Sequence, residues 1–89
     1  MHNSLVAEDK IKFPCQVGLL VSNNELQAYT DVNNRGTLRI RHLFDLNVKD
    51  LVLTYEQPIH EIYLTSAGYL VLLNSLKQVE VSLVKVTSS

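Results

Sequence analysis

From Cys15 onward, short runs rich in Val, Leu, Ile, Tyr and Thr recur about every ten residues, each closed by Asn, Gly, Asp or Ser. This punctuation constrains the chain more than any other feature, because such runs between turn formers are strands. It predicts strands over residues 16–22, 25–32, 37–44, 50–55, 59–65, 69–74 and 78–86. No segment carries an apolar i, i+3, i+4, i+7 stripe longer than two turns, so helix content should be low and the fold class all-β.

The breaks have a chemistry of their own. Asn23-Asn24, Asn33-Asn34-Arg35-Gly36 and Ala67-Gly68 offer residues that reach positive φ cheaply, as hairpin turns require. Within 37–44, Leu38, Ile40, His42 and Phe44 share one face, and Thr37, Arg39, Arg41 and Leu43 share the other. One face is core; the other is wet or meets a partner. Residues 69–73 are apolar throughout, the expectation for a central strand covered on both faces. The last run alternates as Val79, Val81 and Leu83, then slips phase to Val84 and Val86, which predicts a bulge or strand end near Leu83.

Composition limits the setting. With 89 residues, 46% hydrophobic and 19% charged, the chain is an ordered single domain or a part of a larger one. Eight Lys and Arg against nine Asp and Glu leave a net charge of -1, so no overall positive field draws phosphates or an acidic membrane. A lone Cys15 permits no internal disulfide, which points to a reducing compartment. Residues 1–15 lack an apolar stretch, and the longest apolar run, Tyr69 to Leu73, is about a quarter of a bilayer span. The expected location is therefore cytoplasmic or nuclear, with no membrane span. Residues 1–13 read as a mobile N-terminal arm, and 14–89 as a single β domain or propeller segment.

An internal repeat refines the fold. An offset of 44 lays Ser22 on Ser66, Asn24 on Gly68, Leu26 on Leu70 and Ala28 on Leu72. Beyond Asn33-Asn34 the offset becomes 41, pairing Leu38 with Val79 and Ile40 with Val81, as if the first copy had a loop three residues longer. A period in the low forties made of four short strands is that of a propeller blade. The stretch from Pro58 to Val71 resembles the inner two strands of a WD-repeat blade, and Phe44-Asp45-Leu46 resembles the Trp-Asp-Leu that closes a third strand. The resemblance covers residues 16–86 and implies about two four-stranded antiparallel blades. The sequence has no Trp and no Gly-His dipeptide, two signatures of that family. Residues 28–75 look closest to the phosphoinositide-binding propellers of autophagy, yet their Phe-Arg-Arg-Gly motif is missing, so lipid binding is carried over to no residue. Two blades do not close a ring of at least four, and the alternative for five to seven short strands is a small closed β-barrel or sandwich.

Catalytic constellations are missing. His2, His42 and His60 lie in separate elements without zinc-ligand spacing, so neither a metal nor another cofactor is expected. His60 and Glu61 are strand neighbours whose side chains should diverge, and Cys15 has no histidine motif beside it. Gly18, Gly36 and Gly68 are isolated, which removes a phosphate-cradling loop. The one local positive feature is Arg35, Arg39 and Arg41, with Tyr29 on the neighbouring strand as a stacking surface for an anionic ligand or partner. The competing reading is a solvated face whose arginines pair across strands with Asp31 or Glu25. The sequence thus reads as a non-enzymatic protein–protein interaction or scaffold element, meeting other chains or itself through open sheet edges. The alternative is a small β-barrel that binds nucleic acid through Arg35, Arg39 and Arg41.

Overall fold

The turn formers cut the chain close to the expected points, and the alternation decides which face each strand buries. A computed structural model describes residues 3–8 and 10–87; of the expected arm, Met1, His2 and Asp9 lie outside the described residues. The strands are β1 (Val17–Ser22), β2 (Leu26–Asp31), β3 (Asn34–His42), β4 (Leu51–Thr54), β5 (Ile59–Leu64), β6 (Tyr69–Asn74) and β7 (Val79–Leu83). They form two antiparallel sheets ordered β1-β2-β3-β4 and β5-β6-β7, with no helix among the described residues. The fold is all-β, but the second sheet has three strands instead of four, and among the described residues no ladder closes a barrel. After β4 the chain leaves the first sheet through Glu56, Gln57 and Pro58, and β5 pairs with β6. Pro58 has no N–H with which to extend a ladder.

The inner faces share one core. Leu26, Ala28, Leu38 and Ile40 of the first sheet meet Ile59, Ile62, Leu70 and Leu72 of the second, with Leu19, Val21, Leu53, Tyr55, Leu64 and Val84 at the margin. Leu38 and Ile40 are buried as the alternation in β3 requires. Thr30 is also buried, and its Oγ1 accepts the Leu19 N–H at 3.1 Å, where the β1–β2 register shifts.

Several turns work differently from the expectation. Positive φ among the described residues occurs only at Gly68 (φ 93) and Lys77 (φ 65), so the asparagines act through their side chains instead. Asn23 Oδ1 accepts the Glu25 and Leu26 N–H groups at 2.8 and 2.6 Å, while Asn23 Nδ2 donates to the Thr65 carbonyl at 2.8 Å. One side chain thereby shapes a turn of the first sheet and ties it to a turn of the second. The β2–β3 turn is tight, because Asp31 pairs with Asn34 and accepts the Asn33 N–H at 2.8 Å. The extra residues of the first copy, Arg35, Gly36 and Thr37, sit in a bulge of β3 facing β2 and not in a longer loop.

The repeat also needs correcting. Leu72 pairs with Glu80 and Leu70 with Ser82, as Ala28 pairs with Ile40 and Leu26 with His42. Glu80 therefore takes the place of Ile40, and Val79 and Val81 point away from the core. β6 is central in its sheet but covered on one face only: Leu70 and Leu72 are buried, whereas Tyr69 is exposed and Val71 and Leu73 are half-buried. β7 ends at Leu83, and Val84 turns inward as its N–H bonds the Gly68 carbonyl at 2.9 Å.

Candidate functional site

Two outer faces are available for function. On the first sheet, β-pairing places Tyr29 beside Arg39 and Gln27 beside Arg41, so these four side chains share the face away from the core. The end of the N-terminal arm lies on it. Phe13 meets Tyr29 edge-on at 4.7 Å between ring centroids, and the Arg41 guanidinium sits 4.2 Å above the Phe13 ring. Arg41 Nε also donates to Gln27 Oε1 at 2.8 Å.

This cover changes what the face offers. Tyr29 is only 1% exposed, so while Phe13 is in place the tyrosine presents no free ring for stacking. Burial pushes its phenol above the ordinary value, with Asp50 and Cys15 adding to the shift and Arg39 and Arg41 opposing it. Arg39 is exposed beside Tyr29, and Arg35 is exposed in the bulge. The expected pairings of the arginines with Asp31 or Glu25 do not form among the described residues; Glu25 Oε1 lies instead within hydrogen-bond distance of His42 Nε2, at 3.3 Å. Asp31 instead caps its own turn. His42 Nδ1 accepts the N–H groups of Phe44 and Asp45, which leaves Nε2 to donate to Glu25. Phe44, in the segment likened to Trp-Asp-Leu, is exposed beside the His42 ring.

The second outer face escaped the sequence reading. The β5–β6–β7 register sets Tyr63, Val71 and Val81 in one row, Glu61, Leu73 and Val79 in the next, and Tyr69 with Leu83 in a third. Glu61 is the only charged side chain among them. Tyr63, Val79 and Val81 are 54%, 63% and 59% exposed, and Tyr69 and Leu83 are nearly half exposed. The Tyr63 hydroxyl donates to Glu61 Oε2 at 3.0 Å, a bond to the carboxylate that raises the phenol's pKa. The alternation of Val79, Val81 and Leu83 is legible in the sequence, but periodicity alone does not say which face is covered.

The remaining candidates do not converge. His60 and Glu61 are both exposed at a bulge of β5, and Cys15 is a half-buried free thiol in the segment before β1. Among the described residues no group of three or more His, Cys, Asp or Glu side chains gathers as for a metal; His2 lies outside them. No helix among the described residues is long and apolar enough to cross a membrane. No protein-family model, curated protein or solved structure matches the chain.

Proposed function

We propose that this chain is a non-enzymatic interaction element, in which the apolar outer face of β5, β6 and β7 docks against another protein surface. The observation that carries this reading is the uncovered lattice of Tyr63, Tyr69, Val71, Leu73, Val79, Val81 and Leu83. Contiguous apolar patches on proteins mark places where something binds. A propeller-blade reading is supported by two simple meanders that stack by their inner faces, with their first strands, β1 and β5, approaching each other. A WD-repeat-like blade would expose such a face to the next blade.

An apolar fluorescent dye tests the reading. The folded chain should bind it saturably, and Tyr69→Lys with Leu83→Lys should abolish binding while the circular dichroism stays unchanged. A folded chain that binds no dye would overturn the proposal.

A second reading rests on the open side chains of Arg35 and Arg39, which lack a carboxylate partner among the described residues. Under it the outer face of the first sheet binds a single-stranded nucleic acid. Two phosphate contacts give a logarithmic salt slope of about -1.4, and Arg39→Glu should remove the binding. No oligonucleotide binding at low salt excludes this reading.

A further inference from the structure

The free edge of β7 deepens the interaction reading and rests on it. Each sheet has two edge strands, and three of the four are blunted or short. β1 and β5 carry register shifts and lie against each other, and β4 has four residues. β7 pairs with β6 without a register shift and contains neither Pro nor Lys. Such an edge is a template for another strand.

The hydrogen-bond phase shows which atoms it presents. Asn74 N–H bonds the Gln78 carbonyl at 3.0 Å, and Val84 N–H bonds the Gly68 carbonyl at 2.9 Å. In an antiparallel ladder the bonded pairs alternate, so Gln78, Glu80, Ser82 and Val84 turn their backbone groups toward β6. Val79, Val81 and Leu83 direct theirs to the open edge.

We infer that β7 pairs antiparallel with β7 of a second copy, about a two-fold axis through Val81. The register follows from the side chains. Centring on Val81 sets Val79 opposite Leu83 of the second copy and lets all three outward residues exchange both backbone bonds. It also sets Glu80 opposite Ser82. Centring on Glu80 would put the two Glu80 carboxylates face to face, and centring on Ser82 would leave Val79 opposite Lys85 beyond the strand. The Val81 register joins two three-stranded sheets into one of six strands, whose apolar outer face doubles in width. Beyond the ladder it brings Lys77 toward Lys85 of the second copy, a repulsion that salt screens, so the pairing should tighten with added salt.

The test combines light scattering after size exclusion over a dilution series with site-directed crosslinking. The unmodified chain should run as a dimer that dissociates on dilution. Val81→Lys places two ammonium groups opposite each other on the axis and should raise the dimer dissociation constant at least about tenfold, while the monomer fold is kept because Val81 lies outside the core. In a Cys15→Ser background, Val81→Cys should form a disulfide dimer under oxidation, since directly opposed residues lie about 5.5 Å apart. Val79→Cys should not, because its symmetry mate sits at the other end of the ladder. A chain that stays monomeric throughout the dilution series, or a Val79→Cys variant that crosslinks as readily as Val81→Cys, overturns the pairing. A monomer that still binds the apolar dye would leave the interaction reading standing, whereas a monomer that binds none would end both.

Discussion

The outer face of the first sheet carries Gln27, Arg39 and Arg41, with Phe13 laid across Tyr29, whereas that of the second carries Tyr63, Val79, Val81 and Leu83 open to solvent. Both sheets bury the same kind of inner face in the same core. The difference lies in what happens at the back. In the first sheet, Phe13 and the arginines cover the middle of the face and leave Leu20 and Val52 about half exposed at its flanks; in the second, no segment among the described residues lies over the face. Burial on one side therefore suffices to hold a three-stranded sheet in place, and the apolar reverse is available for binding.

The sharpest way to break this comparison is to attack the shared core from each side. Leu38→Asp and Leu70→Asp each place a carboxylate where the side chain is fully buried, at a cost of roughly 3 to 5 kcal/mol. Urea titration should show both variants largely unfolded. If only one fails, the two sheets are not a single cooperative unit.

Removing the cover of the first sheet is the next largest change. Phe13→Ala loses an edge-to-face aromatic contact and a cation–π contact, together about 1 to 2 kcal/mol in the same titration. Its signature is spectroscopic: the Tyr29 phenol, raised chiefly by burial, should titrate closer to its ordinary value near 10. The same shifts fix the alkaline behaviour. Tyr29 and Tyr55 are both raised by burial, with Glu80 adding to the effect at Tyr55, so their folded forms hold the proton more tightly than the unfolded chain does. Their contribution is fully present below about pH 10 and lost as pH rises through the folded values. Tyr55→Phe should flatten that decline in thermal melts across pH 9 to 12.

The smallest effect tests the tie between sheets. Asn23→Ala removes two turn bonds, one of them partly buried, and the exposed bond to the Thr65 carbonyl, and should cost about 1 kcal/mol by urea titration. A loss near zero would mean the turn forms without its side chain.

Most of the fold was legible because turn residues and apolar runs are local signals. β6 was bounded to the residue, and the buried face of β3 was read from Leu38 and Ile40. The phase of β7 was not legible, since Val79, Val81 and Leu83 carry the same alternation whether the core or a partner covers them. Phe13 gave no signal either: one aromatic in a polar arm has no period, and only the pairing of Gln27 with Arg41 and Tyr29 with Arg39 creates the surface it occupies. The arginine face was half visible. Arg39 and Arg41 were placed together by strand parity, but the closure of Tyr29 depended on a contact sixteen residues away in sequence.

The sequential strand order has a kinetic meaning. Every ladder joins consecutive strands, so each sheet zips up hairpin by hairpin over short loops, and little closure entropy opposes its formation. The stacking of Ile59, Ile62, Leu70 and Leu72 against the first sheet, with the bond from Asn23 to the Thr65 carbonyl, requires both sheets to be ordered at once. Sheet stacking is therefore expected to follow hairpin formation. In stopped-flow chevrons, Ile62→Val should quicken unfolding and leave the folding limb almost unmoved, while Asn23→Ala should act mainly on the folding limb.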